Sequence, residues 1–378
     1  MRNMSMASVL IAKRREKGIT QDELATHVGV SKASVSKWES GNRFPDITLL
    51  PIIAEYFGIT IDQLMNHSPQ LSEAEIVKIY ARLAGDFANK PFEDVISECD
   101  ALVKKHYSCF SFVLYITILY INHAGMAEGE RKAEIFQKAI DLCKHVLQNC
   151  REPSLLNEAT QHQAMCYVAT GQAEKVLELL CDENQMPLQY GVGHGTLVGQ
   201  AHQILGNIEK AVEVEQIELY HGLTGLFSGL LSYIRLTLSD YKTAKTAFER
   251  AENLAESFNI RRLYSNHVAV LYTYGAHMYQ SAGESEKALE YLGKYVDVCL
   301  HGFFPAIVRS DSFFSRIDRW LNDPEVNDIM VRNEATVKES MLNDVLLDPA
   351  FDSLHEKQEF TNLVQKLKKF IGGNQNAR

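Results

Sequence analysis

The sequence has few helix breakers: of 378 residues only 9 are proline and 22 glycine. That scarcity excludes a collagen-like or low-complexity chain and favours helix throughout. Long apolar runs are lacking too. The longest, Cys109 to Ile121, is interrupted by Ser111 and Thr117. A membrane span needs about 20 apolar residues, so this run predicts a buried helix. The N-terminal stretch MRNMSMASVLIAKRREK lacks the apolar core and cleavage site of a signal peptide. Seven cysteines, an odd number, form no CxxC pair. They read as reduced thiols filling a core, not as a disulfide framework or a zinc site. No HExxH or GxSxG motif occurs, so neither an enzyme nor a cofactor is expected.

Charge is unevenly spread. The chain carries 38 basic and 48 acidic residues, a net −10. Residues 1–45 hold eight Lys/Arg and four acids, a net +4, which leaves −14 for the rest. A small basic head on a large acidic body predicts that the head meets a polyanion.

Residues 20–41 read TQDELATHVGVSKASVSKWESG. Thr20 with Glu23 has capping-box spacing and starts a helix. Leu24, Ala25 and Val28 form its apolar face, and Gly29 is its stop. Val30 follows as a core residue, and Ser31 caps a second short helix with Val35 and Trp38 inward. Two short helices, a glycine turn and a cap describe a helix-turn-helix. A helix with Ala7, Leu10 and Ile11 on one face precedes the motif. Two more helices follow, capped by Asp46 and Thr60.

Five short helices over residues 5–66 resemble the lambda-repressor-like domain, in particular the Xre type. The matching residues are Gln21, Leu24, Ala25, Gly29, Val30, Ser31, Val35, Ser36, Trp38, Glu39, Gly41 and Pro45, with the ending IAEYFGITIDQL. The resemblance implies that Lys32, Ala33, Ser34 and Lys37 meet base edges in the major groove. It implies that Gln21 contacts phosphate, as do Asn42 and Arg43 in the following loop. Arg14 and Glu39 fall where the family often has an internal ion pair.

Beyond residue 70 a phrase recurs. Gly171-Gln-Ala-Glu-Lys-Val176 returns from Gly206, Ser239 and Gly283, with a faint copy at Lys90 to Val95. Clear copies start 35, 33 and 44 residues apart, near the roughly 34 of a tetratricopeptide repeat. A small residue stands seven before each turn: Ala164, Gly199, Ser232 and Ala276. An aromatic stands four before it in two cases, Tyr167 and Tyr279. The extra residues before the last copy predict longer helices or an added turn near Phe258–His267.

The expected fold is all-α: a five-helix lambda-repressor-like head, then a right-handed tetratricopeptide-like α-solenoid. The expected division is head 1–67, linker 68–74, repeats 75–300, helical cap 301–371 and tail 372–378. The repeat register puts Gln161, Met165, Gln200, Gln203, Tyr233, Thr273, His277 and Gln280 on the concave face, with Glu158 and Thr196 beside them. Such an amide-rich lining suits a peptide backbone. Gly191-Val-Gly-His-Gly195 lacks the lysine of a phosphate loop and reads as an inter-repeat junction. His162 with Cys166 and His106 with Cys109 share helix faces, but neither has a second ligand pair.

A DNA-reading head on a repeat body resembles the RRNPP group of peptide-pheromone receptors. That resemblance implies a cytoplasmic homodimeric transcription regulator. A short signalling peptide bound by the repeats would control its grip on a palindromic or near-palindromic operator. The alternative is an adaptor whose repeats dock a protein partner while the head tethers it to DNA.

Overall fold

The computed structural model describes residues 6–66, 70–189, 193–305, 307–323, 326 and 333–373. Gly191 and Val192, the start of the expected linker and the end of the tail lie outside these residues. The fold class is all-α, a five-helix head followed by stacked helical hairpins of the α-solenoid type. The one extended contact among the described residues is a bridge between Cys181 and Pro187. No described helix is long and apolar enough to cross a membrane. Chain contacts divide the molecule into two compact units, Met1–Cys166 and Tyr167–Arg378.

The head consists of α1 (Met6–Glu16), α2 (Gln21–Val28), α3 (Lys32–Glu39), α4 (Leu50–Phe57) and α5 (Ile61–Leu64). Local chemistry sets its boundaries. Thr20 and Glu23 form a reciprocal capping box at the start of α2, and Thr60 with Gln63 does the same for α5. Gly29 ends α2 at φ +76°, in the left-handed region that costs other L-residues roughly 1–2 kcal/mol. Ser31 accepts from the Ser34 amide and starts α3. Asp46 differs from expectation. It caps a 3₁₀ turn over Ile47–Leu49, and α4 begins only after it, with Pro51 in its first turn. The core gathers Leu10, Leu24, Val28, Val35, Trp38, Ile53 and Leu64.

The first unit continues with α6 (Glu73–Asn89), α7 (Phe92–Lys105), α8 (Phe110–His123), α9 (Gly129–Asn149) and all but the last turn of α10 (Pro153–Ala169). The faint repeat copy is the turn between α6 and α7, with Pro91 at the α7 N-cap. The long apolar run is α8, buried at Phe112, Val113, Leu114, Ile116, Leu119 and Tyr120. The buried Thr117 hydroxyl donates to the Val113 carbonyl of the same helix at 2.8 Å, and the Tyr120 hydroxyl donates to Asp100 at 2.6 Å.

The second unit holds α11 (Ala173–Leu180), α12 (His194–Ile204), α13 (Ile208–Thr237), α14 (Tyr241–Ser257), α15 (Ile260–Leu263), α16 (Ser265–Ser281) and α17 (Ser285–Leu300). The turn glycines Gly171, Gly206 and Gly283 all have positive φ, between 71° and 78°, which glycine alone adopts without strain. The extra length before the last copy is α15, entered through Asn259 at φ +47°.

The Ser239 copy departs from the repeat. Its first helix is fused to the second helix of the Gly206 copy, giving the 30-residue α13. The expected small position, Ser232, is exposed, and so is Arg235. The buried face runs instead through Leu223, Phe227, Leu231 and Ile234. The physical reason is continuity of that face. Without proline, a helix with an unbroken buried stripe keeps its backbone bonds across Gly222, Gly225 and Gly229.

Beyond α17 the chain forms α18 (Asp318–Leu321), α19 (Glu334–Ser340), a π-turn Met341–Leu346, a 3₁₀ turn Pro349–Leu354 and α20 (Gln358–Gly373). Phe314, Leu346, Phe351, Leu354, Phe360 and Leu367 join the core built by α13–α17. Lys338 is buried there, over the rings of Phe304 and Phe370 at 5.1 and 4.9 Å.

Candidate nucleic-acid interface and body groove

The helix-turn-helix is locked by a polar knot. Arg14 Nε donates to Glu39 Oε1 at 2.6 Å, and its Nη2 to Oε2 at 3.1 Å. Arg14 Nη1 also donates to the Ile19 carbonyl at 2.8 Å. Gln21 Nε2 donates to Glu39 Oε2 at 2.9 Å. One carboxylate at the end of α3 therefore ties together α1, α2 and α3. Burial works against its charge, but the bonds from Arg14 and Gln21 outweigh burial and hold its pKa below the usual carboxylate range.

Opposite Val35 and Trp38, α3 shows an exposed face of Lys32, Ala33, Ser36 and Lys37. The i, i+1, i+4, i+5 spacing puts these four on one side. Ser34 is half-buried, and its hydroxyl lies 3.0 Å from that of Ser31. Ser36 is an addition to the expected set; its spacing from Lys32 is the signal that could have found it.

After α3, Gly41 turns at φ +73°, and the Asn42 and Arg43 amides fold back onto the Lys37 carbonyl at 3.0 and 3.2 Å. Asn42 Nδ2 donates to the Ser40 hydroxyl at 2.9 Å. This turn brings the exposed Arg43 beside the C-terminal end of α3. No ion pair among the described residues engages Lys32, Lys37 or Arg43. Their charges are available to a polyanion.

In the second unit a groove runs between α12 and α13. It comprises two adjoining pockets of about 390 and 340 Å³ that share Glu215, Leu219 and Phe313. The expected Gln200 and Gln203 line one pocket, and Thr196 lines the other. Val212, Leu219 and Leu226 of α13 are exposed in it at seven-residue intervals. Phe313 enters from a distant stretch of chain held by Gln216. Gln216 Nε2 donates to the Phe313 carbonyl at 2.8 Å, and its Oε1 accepts from the Arg316 amide at 2.7 Å. No sequence signal marked Phe313.

The other expected groove residues lie elsewhere. Gln161 and Met165 are half-buried on α10, with Glu158 a turn earlier. Tyr233 is exposed on α13 beyond the pockets. On α16 the Thr273 hydroxyl donates to Ala269 of its own helix. His277 packs on Phe351 with ring centres 4.7 Å apart, and Gln280 donates to the Ser353 hydroxyl at 2.7 Å. The C-terminal segment thus covers part of the α16 face.

Of the two His–Cys pairs, His162 and Cys166 are both buried. Burial lowers the His162 pKa to about 4 and raises that of Cys166 to about 12. Among the described residues no three His, Cys, Asp or Glu side chains are placed to hold a metal. Of the stretch 191–195, Gly193 lies at φ +84° just before α12. Gly195 is inside that helix, against Glu218, whose carboxylate oxygen would be 2.5 Å from an added Cβ.

Comparison with known proteins bears on the head. Over 78 residues the chain is 36% identical to the HTH-type transcriptional activator BcrR of Enterococcus faecalis. The match takes in 19% of this chain and spans 38% of the length of BcrR. Among solved structures, Bacillus thuringiensis PlcR in complex with the peptide PapR7 and DNA is 15% identical. That match covers 78% of this chain and 95% of PlcR, at a TM-score of 0.25. ComR of S. thermophilus, in complex with DNA and its signalling peptide ComS, is 13% identical. It covers 78% of this chain and 93% of ComR at 0.18. Residues 10–64 match the helix-turn-helix family model, the stretch that carries the caps, turn and locked α2–α3 pair described above.

Proposed function

We propose that the chain is a DNA-binding transcription regulator whose body binds a short signalling peptide and thereby controls the grip of the head on DNA. The observation that carries this reading is the exposed Lys32–Lys37 face of α3, unpaired and held in place by the Arg14–Glu39–Gln21 knot. In this reading Lys32, Ala33, Ser34 and Lys37 meet bases, while Gln21, Asn42 and Arg43 hold phosphates. One such module covers only about 600–1,000 Å² of protein surface. The reading therefore includes a homodimer on a palindromic or near-palindromic site with half-sites spaced by whole helical turns.

The body's part rests on linkage. A peptide that prefers one arrangement of the repeats shifts the population of that arrangement. A coupling of about 1–3 kcal/mol changes DNA affinity some 5–150-fold. The open apolar groove between α12 and α13, edged by Gln200 and Gln203, supports this assignment.

The test is selection of bound DNA from a random pool, with and without synthetic short peptides from the host's secreted pool. One palindromic motif whose yield changes with peptide is the expected result. A bound motif indifferent to every peptide, with a large protein partner co-purifying, replaces the receptor with the adaptor. On the selected site, Lys32→Ala should cost roughly 1–3 kcal/mol and relax base choice at one position. Arg43→Ala should weaken specific and random DNA alike and reduce the salt slope by about one. Equal losses on both DNAs for Lys32→Ala move Lys32 to the phosphates.

A further inference from the structure

The groove between α12 and α13 has a charge as well as an apolar floor. Leu219 and Leu226 are each more than half exposed in it, and Phe313 faces them. Exposed side chains of this size in a concave site favour an apolar occupant. Glu215 lines both pockets, and Glu218 lines the second. None of the residues lining either pocket is basic.

The placement of Glu215 is built. Its side chain lies against Gly199 of α12, where an added Cβ would stand 2.8 Å from its Oε1 and 3.0 Å from its Cγ. A Cβ at 199 would push the carboxyl out of this seat. Glu218 lies in the same way against Gly195, one turn earlier on α12, and accepts from the Gly193 amide at 3.3 Å. Burial and then the charge of Glu218 both push the Glu215 carboxyl above its ordinary pKa, against a hydrogen bond with Thr196. A nearby cation is the partner that would favour its ionised form.

We infer that this groove selects a peptide segment carrying a lysine or arginine beside an apolar side chain, the cation against Glu215 and the apolar group over Leu219, Leu226 and Phe313. The inference rests on the peptide-binding reading above and adds to it the chemistry of the ligand. Charge sets the register of the bound segment, since a cation has one complementary position and an apolar side chain has several. A peptide with an acidic residue at that position meets two carboxylates and is rejected.

The test uses the full-length chain and three fluorescein-labelled pools of short peptides. Each has apolar residues (Leu, Ile, Val or Phe) flanking a fixed central residue: lysine, glutamine or glutamate. Fluorescence anisotropy should rank the pools lysine, glutamine, glutamate, with about tenfold or more between the first two, as expected for a charge-assisted hydrogen bond in a half-buried site. The near-isosteric Glu215→Gln should remove the preference while the chain stays folded, with a melting temperature no lower than that of the wild type, since burial and Glu218 both disfavour the charge it removes. Glu215→Lys should invert the preference. Equal binding of the three pools to the wild-type chain overturns the charge assignment and leaves the peptide reading standing. Failure of every pool to bind overturns both. A lysine preference that survives in Glu215→Gln places the cation elsewhere and overturns the inference.

Discussion

Glu39→Ala is expected to destabilise the head by about 2–4 kcal/mol, a little under the cost of breaking a fully buried pair. The Glu39 side chain is 6% exposed and that of Arg14 15%. Removing the carboxylate strands the Arg14 guanidinium in a site it cannot leave without breaking its bond to the Ile19 carbonyl. The same change releases Gln21, the residue assigned to a phosphate. DNA affinity should therefore fall even at temperatures where the head is folded. Hydrogen exchange in α1–α3 of the full-length chain reads the stability directly. The double variant Arg14→Met, Glu39→Leu separates the two effects. Removing both charges should restore much of the stability, while Gln21 remains released and DNA binding stays weak. The pH dependence follows from the sign of the shift. Glu39 is held below its unfolded value of about 4.3. Its contribution is present above that value and is lost as pH falls through the lower folded value. The wild-type head should thus lose protection below about pH 4, and Glu39→Gln should lose less. A Glu39→Ala head as protected as wild type would show that the knot does not hold the α2–α3 angle.

Much of the head was legible because its signals are local. Thr20, Gly29, Ser31 and Thr60 each act within four residues, and each stands where its spacing placed it. Asp46 misled by one element, since its carboxylate caps whatever turn follows and does not distinguish a 3₁₀ turn from an α-helix. In the body, Gly171, Gly206 and Gly283 were readable because the positive φ of these turns strongly favours glycine. The fusion at α13 was not, because a repeat phrase says where a turn falls and not whether the preceding helix has a break. The groove was half-legible. Gln200 and Gln203 follow from register, whereas Phe313 reaches it through a contact with Gln216 across 97 residues. The seats of Glu215 and Glu218 on Gly199 and Gly195 depend on how closely α12 and α13 approach, and spacing within one helix carries no such information.

Gly225→Pro is expected to cost about 3 kcal/mol or more, by removing a backbone bond and clashing with the preceding turn in the middle of α13. The neighbouring glycines make this a sharp comparison. Gly222, Gly225 and Gly229 all have open space where a Cβ would stand. Gly225→Ala and Gly229→Ala should each raise stability by roughly 0.5–1 kcal/mol, because glycine in a helix interior is costly and nothing in the packing needs it here. The same position thus changes sign with the residue placed there, which only an unbroken helix explains. Were α13 two helices meeting near residue 225, proline would be tolerated and alanine would bring no gain. The functional consequence runs through the same element. One face of α13, from Ile208 to Leu226, forms the groove with α12, and its buried face carries Ile217, Tyr220, Phe227, Leu231 and Ile234 into the core shared with α14–α17. A rigid rod joining the two passes any displacement at Leu219 or Glu215 into that core. A proline joint in the rod absorbs it. At temperatures where Gly225→Pro is still folded, its DNA binding without peptide should stay within a few-fold of wild type. Anisotropy should show the lysine pool still bound while its effect on DNA binding is lost, and a full response in this variant would mean that the signal leaves the groove by another route than α13.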